Sequence, residues 1–339
     1  MQQWERDPAY QAVVRGFIDG DPLEQAGGPL DVRAVVAGLG EKAKAKFLLD
    51  EVDWSRFPER GRVREAVEWI ATCEDAAISR ALRVLAGLCA NDMRAAVAPS
   101  VPFLIRTAAD PLVGDRPGVL AVLAMAARMR HFGMCSRADV LRFRRDDEWS
   151  FEVTGCLQNW SVQAAHDTIA TDADLLLPLL DDPDMEVRIS SAYVLAAAGG
   201  RAEEILAAFR TCLPSEADPA VRACLVLAVS ELARAHNDVR AAEWTLAWWS
   251  DPMQPPEVWV SAALGWLCLT ELPVPDGLRV VMDVVAEGET ARRLASLPWL
   301  RSVENADGNG LVRCLRTMVH DDPTALEKFD EGLTEGLGC

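Results

Sequence analysis

Apolar residues recur along this chain at intervals of three and four, the spacing that lines one face of an α-helix, and strict alternation at the strand period is scarce. The pattern predicts a first helix over residues 8–19, a loop at Gly20-Asp21-Pro22 and Gly27-Gly28-Pro29, and a second helix over 31–51. It breaks again at Asp53-Trp54-Ser55-Arg56-Phe57-Pro58. From Arg62 onward helical pairs follow almost without pause, with Val63, Ala66, Val67 and Ile70 on one apolar face and Ile78, Leu82, Leu85 and Leu88 on the next. Pro99 to Ile105 opens a further pair, and Leu176-Leu177-Pro178-Leu179-Leu180 looks like the same element later in the chain. An all-α chain is the expectation.

Seven Asp-Pro pairs punctuate it, beginning at Asp7, Asp21, Asp110, Asp182, Asp218, Asp251 and Asp322. Most precede an apolar stretch, where aspartate can cap free N–H groups and proline can take the first helical position, so they read as helix starts. Two starts share a longer pattern. Asp184-Met185-Glu186-Val187-Arg188 aligns with Asp218-Pro219-Ala220-Val221-Arg222 at about the length of one helical hairpin. The alignment places Ala192 opposite Val226 and Leu195 opposite Val229. In a weaker third copy, Glu257-Val258-Trp259, tryptophan takes the arginine slot, and Ala262, Ala263 and Leu267 follow.

The run from Leu176 through Asp181-Asp182-Pro183-Asp184-Met185-Glu186-Val187-Arg188 to Leu195 resembles the HEAT repeat, in the bacterial form also found in phycobilisome-lyase-like proteins. Pro99 to Arg128 resembles the divergent N-terminal repeats of actinobacterial HEAT-repeat proteins with no assigned activity. The resemblance implies a right-handed α-solenoid of stacked antiparallel helix pairs, with about seven repeats and divergent ends. Capping helices are expected over 1–60, divergent repeats over 61–170, clear repeats over 171–300 and C-terminal capping helices over 301–339. It also implies that Asp184, Arg188, Asp218 and Arg222 form a structural ladder between repeats. Residues 311–333 read as a capping hairpin.

Charge changes this picture. Residues 1–150 hold 21 Lys+Arg against 22 Asp+Glu, whereas residues 151–339 hold 13 against 30, so nearly all of the net −18 lies in the second part. Such a surface repels nucleic acid and anionic membrane and attracts basic partners. The first residues lack the basic-then-apolar order of a secretory signal, and no run is apolar enough to span a bilayer; a cytoplasmic protein is expected. Most of the nine cysteines, an odd number without a Cys-x-x-Cys pair, read as reduced core thiols, with Cys339 set apart as exposed at the chain end.

Candidate chemistry is sparse. Asp181, Asp182 and Glu186 offer hard oxygen ligands for a divalent ion, but the helix-start reading already accounts for that stretch, and neither a metal nor another cofactor is expected. His131, His166, His236 and His320 stand far apart, with no metalloprotease spacing and no nucleophile motif beside them. Gly38-Leu39-Gly40 reads as a helix interruption rather than a phosphate cradle. Two recognition candidates remain. Arg142, Arg144 and Arg145 belong to a basic run from Arg128, which either binds an acidic group or pairs with the chain's own acidic half. Trp244, Trp248, Trp249, Trp259 and Trp266 cluster in the acidic half beside Asp251 and Glu257, and indoles next to carboxylates suit a basic peptide. Trp249 and Trp259 are the two expected to be exposed.

Three functions stay open: a non-catalytic module or scaffold that binds a basic protein or peptide; an enzyme or ligand-binding protein with a Trp- and acid-lined groove, lyase- or cyclase-like; and a self-associating structural chain. HEAT-like bacterial bilin lyases and DNA-alkylation glycosylases bring catalysis within the resemblance, although the charge disfavours a glycosylase and no bilin site is evident. The oligomeric state is not legible.

Overall fold

A computed structural model describes residues 31–129, 137–141, 150–238, 240–285 and 288–307, together with positions 315, 318 and 319. Among these residues the fold is all helical; an isolated antiparallel bridge between Phe151 and Leu157 is the one β-type pairing. The expected helix over 8–19 lies outside the described residues, as does nearly all of the expected hairpin over 311–333.

The chain forms two compact units. Unit 1 comprises residues 1–129, 143–179 and 197–201; unit 2 comprises 130–142, 180–196 and 202–339. In unit 1 the helices are α1 (Val32–Ala37), α2 (Glu41–Ala45), α3 (Arg60–Ala71), α4 (Asp75–Ala90), α5 (Arg94–Val97), α6 (Val101–Ala109), α7 (Arg116–Ala127), α8 (Gln158–Thr171) and α9 (Ala173–Leu176). The single helix expected over 31–51 is divided, because Gly38 closes α1 and Gly40 stands at the start of α2. α3 packs on α4, α4 on α7, and α7 on both α6 and α8. The apolar faces read from the sequence are buried as expected, Val63, Ala66, Val67 and Ile70 on α3 and Ile78, Leu82, Leu85 and Leu88 on α4.

Two buried polar clusters hold unit 1 together. Asp172 accepts from Arg106 through both oxygens, at 2.8 and 3.3 Å, and lies 3.9 Å from the Lys44 ammonium, while Glu41 bridges Lys44 and Arg106. Glu152, 1 % exposed, accepts the Ala95 N–H at 2.9 and 3.2 Å and the Thr154 hydroxyl at 3.1 Å. That tie fixes a turn closed by Gly155, whose φ of +79° favours glycine. Arg94 donates to the carbonyls of Met125 and Arg128 and to Asp92.

Unit 2 carries α10 (Met185–Leu195), α11 (Ala202–Cys212), α12 (Pro219–Ala235), α13 (Arg240–Trp249), α14 (Pro256–Leu269), α15 (Asp276–Val285), α16 (Gly288–Ala295) and α17 (Pro298–Asp307). α10 packs on α12 and α12 on α14; α11 rests against α12, and α13 against both α12 and α14. The helices come close at Gly265 on α14, where an added Cβ would collide with Ser230 on α12 and press on Thr245 of α13. A 3-10 turn over Arg137–Leu141 packs on α12, α14 and α17, with Val140 and Leu141 buried. Its Arg137 donates to the Leu272 carbonyl at 2.7 Å, and its backbone accepts the Cys268 thiol.

The Asp-Pro pairs need correction. Among the pairs in the described residues, only at Asp218-Pro219 does the aspartate cap the helix directly, accepting the Ala220 and Val221 N–H groups with proline in the first turn. At Asp110, Asp182 and Asp251 the carboxylate instead accepts the N–H two residues on, from Leu112, Asp184 and Met253. These are Asx turns, in which proline fixes φ of the middle residue. The helices begin later: Asp184 caps α10, Asp115 caps α7 and Pro255 precedes α14. Asp7, Asp21 and Asp322 lie outside the described residues.

Candidate functional site

Five of the tryptophans stand on the α13–α14 hairpin. The four-residue spacing of Trp244 and Trp248 places their rings one helical turn apart, with centroids at 5.7 Å. Trp249 turns towards α14, edge-on to Trp259 at 6.0 Å and tilted on Trp266 at 5.7 Å. Trp266 is buried, and the other four are half-buried. The exposure expected for Trp249 and Trp259 is therefore corrected. Each covers the other, and the Trp249 Nε1 is buried without a hydrogen-bond acceptor among the described residues.

The charges around this cluster have partners. Arg222 places its guanidinium 5.6 Å from the Trp248 ring and donates to Gln254 Oε1 at 3.0 Å, so one indole face already carries a cation from the chain itself. Glu257 is buried and pairs with Arg293 Nε at 2.9 Å. Asp251 is half-buried and accepts from the Met253 N–H and the Gln254 amide. Of the acids near the indoles, Glu243 on α13 is exposed. Arg142, Arg144 and Arg145 lie outside the described residues, although Arg137 of the same basic run is anchored within unit 2.

The ladder residues fall into two roles. Asp184 and Asp218 cap their own helices, on Glu186 and on Ala220 and Val221. The arginines reach forward, each to the loop before the next long helix: Arg188 holds Glu216 through two bonds at 2.9 and 3.3 Å, and Arg222 holds Gln254. Glu216 in turn accepts the Asp218 N–H, which joins the forward link to the next helix start. Glu216 and Gln254 were missed, although each stands just ahead of a helix start, a position the Asp-Pro alignment marks. At the third step the slot holds Trp259, whose ring instead meets Trp249 on the preceding helix.

The acidic stretch before α10 is likewise committed to structure. Asp182 closes its Asx turn, and Asp181 accepts weakly from the Cys212 thiol at 3.9 Å. Among the described residues no group of three or more His, Cys, Asp or Glu side chains is placed to hold a metal ion. His166 is buried with Nε2 2.6 Å from the Ala127 carbonyl. Cys89, Cys156, Cys224 and Cys268 are buried free thiols, and burial pushes Cys89 and Cys268 up to about 12 and Cys156 up to about 11, which keeps them protonated and unreactive. Cys73 is exposed and Cys212 half-buried. An open groove of about 430 Å³ in unit 1 is lined by residues 57–62 and contains none of the tryptophans or acids proposed from the sequence.

No family model, no curated protein and no solved structure matches the chain. The site therefore rests on its own geometry: a half-buried indole array beside an arginine-linked stack of helices. No helix among the described residues is long and apolar enough to cross a membrane.

Proposed function

We propose that this chain is a non-catalytic interaction module, a HEAT-like right-handed solenoid of about seven helix pairs that holds a basic protein or peptide against the acidic, tryptophan-bearing surface of α13–α14. The observation that carries the reading is the half-burial of four indoles on one hairpin, in the part of the chain where carboxylates outnumber basic groups 30 to 13. Indoles fixed by their neighbours present apolar edges at low entropic cost, and the carboxylate excess draws in a cationic segment. The module is favoured over a Trp- and acid-lined catalytic groove because the rings contact one another rather than surround a void, and because Glu257 is neutralised by Arg293. The reading carries with it a cytoplasmic location, where the buried thiols stay reduced.

Equilibrium capture of a labelled Lys/Arg-rich peptide tests it. Binding should fall steeply as salt rises from about 0.05 to about 0.5 M, because exposed charges are screened over that range. Trp248→Ala and Trp259→Ala should each weaken binding about tenfold, the loss of one well-placed aromatic contact. Capture indifferent to salt, or equal in both tryptophan variants, would overturn the reading.

A further inference from the structure

Helix α15 has an apolar side that its own unit leaves uncovered. Leu278 and Met282 are 2 % and 1 % exposed and face the protein, yet Val280 and Val284, one turn apart, are 65 % and 70 % exposed, and Val281 between them is 37 % exposed. Leu272, in the loop leading into the helix, is 60 % exposed. Leu112 and Met253 are more exposed still, but each stands singly at a turn. Helix propensity does not explain the valines, since β-branched residues are among the weaker helix formers. Their stiffness suits them to binding instead, because a side chain with one preferred rotamer loses little freedom when covered.

Charge decides what covers this face. Residues 271–289 hold five carboxylates, Glu271, Asp276, Asp283, Glu287 and Glu289, against Arg279 alone, a net of −4. A second copy laid on the same face would set this acidic stretch of sequence against itself. The chain's own ends have the same sign: residues 1–30 carry five acidic groups against two arginines, and residues 320–339 carry six against one lysine. Like charges juxtaposed across an interface oppose association, so the complementary occupant is neither a second copy nor a terminus.

We infer that α15 is a docking face for an amphipathic helix of a partner protein, one whose apolar stripe lies on Val280, Val281 and Val284 and whose flanks carry Lys or Arg. The ten residues of α15 span about 15 Å, enough for about three turns of a helix laid alongside with anchors at i, i+3/i+4 and i+7. The inference rests on the basic partner of the proposed function and places its apolar anchor outside the indole hairpin.

Fluorescence anisotropy of the full chain with two labelled probes decides it: a Leu/Lys peptide of about 14 residues with leucines at helical spacing, and its Leu/Glu counterpart. The Leu/Lys peptide should bind and the Leu/Glu peptide should not. The double variant V280S/V284S should raise Kd about tenfold or more, as expected for two lost apolar contacts, with an unchanged circular dichroism spectrum since both positions are exposed. Val280→Leu, which keeps the face apolar, should retain binding. Equal binding by the serine variant overturns the inference, as does equal binding of both peptides. Loss of Leu/Lys binding in Trp248→Ala and Trp259→Ala but not in V280S/V284S leaves the indole surface standing and removes α15; the reverse result removes the indole surface and keeps α15. A dimer by light scattering that V280S/V284S converts to monomer assigns the face to a second copy and also overturns the inference.

Discussion

At the scale of single residues, Glu152 shows how a carboxylate can serve folding from an apolar interior. Its acceptor bonds from the Ala95 N–H and Thr154 favour the charged form, but burial outweighs them and pushes the carboxyl up from 4.5 to about 7. A folded-state value above the unfolded one means that the native protein holds a proton the unfolded chain has released. The stability contributed by this group is therefore complete below about pH 4.5 and is lost as pH rises through about 7, by up to about 3 kcal/mol. The buried thiols beside it, Cys89 and Cys156, are pushed up by burial to about 12 and about 11 and stay protonated across this window. Glu152→Gln carries no charge at any pH and should flatten the loss. Thermal unfolding from pH 5 to pH 8 should show the variant gaining on the parent as pH rises, whereas parallel curves would mean that the carboxylate remains ionised throughout.

At the scale of elements, the contact of α12, α13 and α14 depends on one missing side chain. Gly265→Ala should improve helix propensity by about 1 kcal/mol yet lower stability by about 1–3 kcal/mol net, because the new methyl meets Ser230 across the helix interface. Ser230→Ala in the same chain removes the nearer obstacle and should recover part of the loss in a urea titration; a Gly265→Ala variant as stable as the parent would show that the helices separate at little cost. The close approach was not legible in the sequence, where Gly265 is one glycine inside an apolar run. What was legible is local. The faces of α3 and α4 follow from 3.6-residue periodicity, and the break at Gly38 and Gly40 follows from glycine. The Asp-Pro pairs misled because an Asx turn and an N-cap employ the same aspartate and the same proline φ; only the next two residues, placed by tertiary packing, distinguish them. The candidate site was half legible for the same reason. Spacing along one helix paired Trp244 with Trp248, but Trp249 meets Trp259 and Trp266 only once α13 lies on α14, and the arginine slots gave no hint of Glu216 or Gln254, 28 and 32 residues further on.

At the scale of the molecule, the chain does not divide where its composition does. The acidic excess begins near residue 151, yet residues 130–142 belong to unit 2 and residues 143–179 and 197–201 to unit 1. Unit 2 is thus built around a piece of the earlier, charge-balanced sequence. Val140 and Leu141 are each 1 % exposed within it, Arg137 ties down the Leu272 carbonyl, and Cys268 donates its thiol to the same short turn. A fragment of residues 180–339 keeps α10 to α17 but uncovers the sides of α12, α14 and α17 on which that turn rests. Two core side chains of this size contribute about 3–6 kcal/mol when fully buried, comparable to the whole stability of a domain. The fragment should consequently unfold at markedly lower urea than the same fragment with residues 130–142 joined ahead of residue 180 through a flexible linker, and it should bind a hydrophobic dye that the joined fragment excludes. Addition of a synthetic peptide covering residues 135–142 should restore part of the difference. Equal midpoints for the two fragments would mean that the turn lies on a unit already complete without it.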